Sequence, residues 1–211
     1  MRVSVHSLKE WRQNFGRFFS VNRRLLWRLI LFLAGAEAGC FLFRGDPERI
    51  RAALEEILAP VAVTGFDGMI HRLLVACCPV WLLLLILFPV GLTAWGMPVA
   101  AVIPPLFGMG FGVTASYYYS EGLKGVGYVA LLLLPHTLVA AGALILASAA
   151  AGQMSGALCR GLMPRQGCCG GLWPEFKRYL ARFLICGGLA FLAGALDAGG
   201  HLCFSKHFIF V

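Results

Sequence analysis

The sequence predicts an all-α, polytopic integral membrane bundle of about five transmembrane helices with a cytoplasmic amino terminus. Composition is the first observation behind that prediction. Apolar residues fill 59% and charged residues 13% of the 211 positions, with a mean hydropathy of +0.79, against roughly 45–50% and about 25% in soluble domains. The second is length: apolar runs at 25–43, 70–95, 97–119, 125–152 and 179–201 each reach the roughly 17–25 residues that cross a hydrocarbon layer. The third is where the positive charge falls. Arg2, Lys9, Arg12, Arg17, Arg23, Arg24 and Arg28 cluster at the start of the first run, and Arg160, Arg165, Lys177, Arg178 and Arg182 surround the fourth connection, so twelve of eighteen basic residues share one side. Five spans with the amino terminus in the cytoplasm place them there. The net charge of +8 is therefore read as topology and contact with anionic lipid, and no nucleic-acid partner is expected.

Residues 1–24 form a basic leader. Ser7-Leu8-Lys9-Glu10 has capping-box spacing, and Leu8, Trp11, Phe15, Phe18 and Phe19 follow along one side, the pattern of a helix lying in the cytoplasmic interface. Residues 25–205 form a single transmembrane domain. Its first span carries Glu37-Ala38-Gly39-Cys40, which resembles a lipoprotein processing box, but an acid occupies the aliphatic position, so the helix is expected to stay uncleaved. In the outer loop that follows, Asp46 supplies an N-cap, Pro47 a first helical residue and Glu48 an acid at the positive helix end, which predicts an amphipathic helix over 47–59, closed by Pro60. The fourth run contains Pro135-His136. Proline removes a backbone donor, and two outcomes follow: a kinked single span, which is expected, or a re-entrant hairpin of two half-helices. Tyr117-Tyr118-Tyr119 falls at an outer aromatic belt. A cytoplasmic loop over 153–178 and a tail over 206–211 complete the chain.

Chemistry has few places to sit. The sequence lacks a P-loop, a Rossmann glycine fingerprint, HExxH and GxSxG, so neither a phosphate cradle nor an activated nucleophile has a local signal, and no enzyme and no cofactor are expected. Eight cysteines do not read as a disulfide framework, because Cys40, Cys77, Cys78 and Cys186 lie in apolar runs and Cys159, Cys168 and Cys169 lie in the cytoplasmic loop. The loop cysteines form no CxxC pair and have no neighbouring His, so no metal site is expected either. What remains are Glu37, His136, Asp197 and His201, ionisable residues within spans, where an Asp costs about 2.5–3.5 kcal/mol by insertion scales and must face protein, water or a partner. They serve either as a proton-exchanging polar pathway or as hydrogen bonds that lock helices. Gly35 and Gly39, Gly108 and Gly112, and Gly194 between Ala190 and Ala198 are spaced four apart, which marks faces for close helix packing, within the chain or against a partner.

Several of these segments occur in an order that resembles the stage II sporulation protein M family: Gly91-Leu92-Thr93-Ala94-Trp95-Gly96-Met97-Pro98, Phe107-Gly108-Met109-Gly110-Phe111-Gly112, Gly122-Leu123-Lys124-Gly125, Leu134-Pro135-His136 and Leu196-Asp197-Ala198. The resemblance covers roughly residues 25 to 205. It implies a multi-pass component of the mother-cell septal or engulfing membrane, a non-catalytic scaffold in the sporulation engulfment machinery. Its implied partners, besides the lipid bilayer, are stage II sporulation proteins D and P, which remodel peptidoglycan. The long basic leader and Gly167-Cys168-Cys169-Gly170-Gly171 depart from that family's pattern. A platform for wall remodelling is the expected function, and the alternative is a permease subunit using Glu37, His136 and Asp197. A membrane-embedded hydrolase ranks third.

Overall fold

A computed structural model describes residues 4–58, 65–162 and 173–204, and every element among them is helical. In chain order they are α1 (Ser4–Gly45), α2 (Pro47–Leu58), α3 (Gly65–Gly91), α4 (Gly96–Ser120), α5 (Leu123–Tyr128), a π turn (Val129–Leu133), α6 (Leu134–Leu162) and α7 (Trp173–Phe204). Five stretches are long and apolar enough to cross a membrane: Leu25–Gly45, Leu73–Gly91, Gly96–Ser120, Leu123–Cys159 and Trp173–His201. The chain is thus a multi-pass helical bundle.

Three expectations need correction. Helix α1 already includes Ser4 and continues without a turn into the first span, so Ser7 lies inside the helix rather than capping it, and the leader is not a separate element. The second span stops at Gly91 rather than at 95, because the chain turns over 92–95 before α4 begins. Helices α6 and α7 both extend into the expected 153–178 loop, ending at Leu162 and starting at Trp173. The fourth span, expected as a single crossing, runs as one helix through α5, the π turn and α6, without the hairpin that was its alternative. Pro60, Cys168, Cys169 and the 206–211 tail lie outside the described residues.

Helix α6 is the hub. It touches α1, α3, α4 and α7, and its surface is built of small residues that let four neighbours approach: Ala140, Ala141, Ala143, Ala147, Ala150 and Ala151 are all buried. Larger residues from the surrounding helices fill the gaps between them, Leu87 from α3, Ile103 from α4 and Cys186 from α7. In lipid the hydrophobic effect does not drive helices together, so close van der Waals packing must do so, and small residues supply it.

The most extensive helix pair is α1 with α4. A Cβ at Gly35 would collide with the Pro105 carbonyl oxygen, one at Gly39 with that of Met109, one at Gly108 with that of Phe32, and one at Gly112 with that of Ala36. Residue numbers rise together along both helices, so the pair is parallel, with two glycines a turn apart on each side. Phe32 then stacks on Phe107 and Phe111, each at 6.3 Å between ring centroids. Gly194 does the same work between α7 and α3, where its Cβ would meet the Cys77 sulfur.

The connections are built from backbone and side-chain donors. Asp46 caps α2, accepting from the Arg49 amide at 3.4 Å, with Pro47 as first residue. Arg51 of α2 pairs with Glu121 and lies 5.7 Å over the Tyr117 ring, tying α2 to the turn between α4 and α5. That turn is closed by Gly122 at φ +79°, a region that side-chain-bearing residues avoid. At the opposite end Ser155 of α6 accepts from the Met97 amide and donates to the Ala94 carbonyl, both at 3.1 Å. Trp27, Trp95 and Trp173 all stand exposed at this end, Trp95 by 84%. Tryptophans grouped at one depth anchor a bundle at a membrane interface. The expected tyrosine belt at the other end reduces to Tyr119, since Tyr117 and Tyr118 are half-buried.

Glycine substitutions should separate packing from helix propensity. Gly108→Ala brings a Cβ onto the Phe32 carbonyl and should destabilise the fold by about 1–3 kcal/mol. Gly188→Ala, whose Cβ meets nothing within 4 Å, should stabilise it by up to about 0.5–1 kcal/mol. Reversible unfolding in mixed micelles measures both.

Candidate functional site

Proline dictates where the polar site forms. Pro135 has no N–H and its ring crowds the carbonyl four residues back, and the helix widens into a π turn over Val129–Leu133 immediately ahead of it. Lipid offers no hydrogen bonds to loosened backbone groups. Side chains serve them instead: His136 Nδ1 donates to the Leu132 carbonyl at 2.9 Å, and Thr137 Oγ1 donates to that of Leu133 at 2.7 Å. Because the Leu132 oxygen can only accept, Nδ1 is the donor in this bond.

The same Nδ1 lies 3.5 Å from Asp197 Oδ1 on α7. One helical turn further along α7, His201 Nε2 lies 3.9 Å from that oxygen and hydrogen-bonds the Tyr128 hydroxyl at 3.1 Å. Asp197 and His201 are buried, at 8% and 9% exposure. Four residues, Tyr128, His136, Asp197 and His201, thereby form a polar patch joining the π-turn region to α7. The Tyr118 ring packs against Tyr128, tilted by 31° with centroids 4.3 Å apart. Within lipid such a cluster can share protons and can fix the angle between two helices.

A cavity of about 540 Å³ opens against this patch. Helices α3 and α4 supply mainly apolar walls, among them Val80, Leu83, Phe107 and Phe111. Asp197, His136, Thr137, Thr114, Tyr118 and Tyr128 supply the polar atoms. Its size falls within the roughly 300–1,000 Å³ of small-molecule sites.

The structure unites His136, Asp197 and His201 and leaves Glu37 out. Glu37 is exposed on the face of α1 opposite Gly35 and Gly39, so the three residues named for the alternative, permease reading, Glu37, His136 and Asp197, are not brought together. Helical periodicity decides this, since glycines turned toward α4 force position 37 outward. Gly35, Gly39, Gly108, Gly112 and Gly194 are all consumed by contacts within the chain, not offered to a partner. Tyr128 and Tyr118 went unmarked as site residues, and only the helical offset of eight from Tyr128 to His136 signals that the two share a face. Cys40, Cys77, Cys78, Cys159 and Cys186 are free thiols. Among the described residues no group of three His, Cys, Asp or Glu side chains is arranged to hold a metal.

Tyr128→Phe removes the hydroxyl bonded to His201 and should cost about 1 kcal/mol of stability. Tyr119→Phe, on an exposed ring, should stay within about 0.5 kcal/mol. Unfolding titrations of both variants against the parent protein check this. No family model, curated protein or solved structure matches the chain.

Proposed function

We propose that this chain is a non-catalytic membrane subunit that holds other proteins in place in the bilayer, the partners being peptidoglycan-remodelling proteins of the kind the family resemblance points to, stage II sporulation proteins D and P. In that role it sits in the engulfing septal membrane with its amino terminus in the cytoplasm. The observation that carries the reading is Glu37. Its carboxylate lies about 3 Å beyond the centre of the Leu25–Gly45 span, on an exposed face between Leu33, Ala34 and Phe41, and it has no hydrogen bond or ion pair among the described residues. A carboxyl group facing hydrocarbon at that depth costs about 2.5–3.5 kcal/mol on insertion scales. A partner helix presenting a donor at matching depth offsets that cost, and it meets a surface that the chain's own helices leave bare.

Transport is a second reading, favoured by the cavity beside Asp197 and His136. In it the polar patch carries a solute or proton and Glu37 has no part.

A photocrosslinker at Ala34, beside Glu37, should capture wall-remodelling proteins from sporulating cells. Glu37→Leu should reduce that capture by about tenfold, the equivalent of about 1.4 kcal/mol, without lowering the amount of folded protein. Equal recovery from Glu37→Leu, or a chain that migrates alone in native detergent extracts, contradicts the proposal. Solute flux in proteoliposomes abolished by Asp197→Asn supports transport instead.

A further inference from the structure

We infer that a furrow between α3 and α7 seats one acyl chain of an anionic phospholipid, with its headgroup at Lys177. The inference is independent of the subunit role and of Glu37. It starts from a stripe along α7, where Trp173, Lys177, Leu180, Leu184, Gly188 and Phe191 follow at steps of three and four residues and so share one side of the helix. From Leu180 onward that side borders a cavity of about 380 Å³, whose opposite wall is α3 with Trp81, Leu85 and Phe88.

The furrow exists because two side chains are missing from its floor. Gly187 and Gly188 both line it. The Trp81 indole lies against Gly187, its Cη2 3.3 Å from where a Cβ would stand, while a Cβ at Gly188 meets nothing within 4 Å. Trp81, Leu184 and Phe191 stand exposed around this gap. In a bilayer such a gap fills, because an empty one forfeits van der Waals contacts along its whole lining.

Length and charge select the occupant. From Leu180 to Phe191 the furrow runs about 16 Å, about half of a hydrocarbon core of roughly 30 Å, which is the depth that one leaflet's acyl chain occupies. It begins toward the end of the bundle where Trp27, Trp95 and Trp173 stand exposed, the end that lies at a membrane interface. There the Lys177 ammonium lies 5.5 Å over the Trp173 ring, one turn before Leu180. Arg178 pairs with Glu175, and Arg182 donates to Gln153. Of the three cations, Lys177 is the one on the furrow's side of α7. A positive charge at that depth favours an anionic headgroup over a zwitterionic one.

The test is native mass spectrometry of the full chain, delipidated in a short-chain polyoxyethylene detergent and mixed with equal amounts of palmitoyl-oleoyl phosphatidylglycerol and palmitoyl-oleoyl phosphatidylcholine. One retained lipid per chain is expected, with phosphatidylglycerol favoured by about fivefold. Lys177→Gln should bring the two lipids to equal retention, and Gly188→Leu, which fills the floor of the furrow, should abolish retention of that lipid while unfolding as the parent does. No retained lipid, or equal retention of the two lipids by the parent, overturns the inference. Unchanged retention by Gly188→Leu also overturns it, as does a two-chain species that Gly188→Leu dissociates, which marks a second copy as the occupant. Lys177 is exposed, so its variant decides even if Gly188→Leu fails to fold: a preference for phosphatidylglycerol that survives Lys177→Gln overturns the assignment.

Discussion

Every backbone polar group within the bundle must find its partner inside the protein, because hydrocarbon offers none. An unbroken helix meets that demand by itself, so the informative places are those where a helix is broken or widened. At the end of α3 the Leu92 amide turns to Pro89, and the Tyr179 hydroxyl reaches from α7 to the Phe88 carbonyl at 2.7 Å. At the start of α4 Ser155 of α6 serves Met97 and Ala94. At the π turn His136 and Thr137 serve Leu132 and Leu133. These polar side chains are thus stationed at backbone defects, and where the donor comes from another helix it also joins two segments.

The glycine contacts follow from the same solvent. With no water to expel, α1 and α4 gain only from approaching until backbone meets backbone, and Gly35, Gly39, Gly108 and Gly112 permit that approach. The arrangement fixes the rotation of α1 about its own axis. One consequence is that Phe32 is buried while Phe41 and Glu37 are exposed. The outward Glu37 carboxylate and the close internal seam therefore have one cause.

The helical class and five apolar spans were legible because hydropathy and length report burial in lipid directly, and the Asp46-Pro47 start of α2 was legible because capping is local chemistry. Less could be read of the site. Glu37, His136 and Asp197 look equivalent as isolated ionisable residues, and only the facing of each helix separates the first from the other two. Pro135 announced a disturbance but not its form: a widened turn and a return on itself both accommodate a missing donor. The glycine spacings marked tight packing, yet spacing is blind to whether the opposing surface belongs to the same chain. Tyr118 was hidden within a run of three tyrosines whose members face different surroundings, one packed inside and Tyr119 outside.

The π turn also sets a constraint on how this chain tolerates change in length. A π turn holds one residue more than the α-helical turn it replaces, and one residue is about 100° of rotation. Rewinding Val129–Leu133 as ordinary α-helix with all its residues kept would swing the alanine surface of α6 about a quarter-turn away from α4 and α7, whereas excising one leucine as the stretch rewinds would leave both halves in phase. The widened turn absorbs the surplus residue, keeping the two halves of one long rod aimed at the neighbours each was shaped to meet.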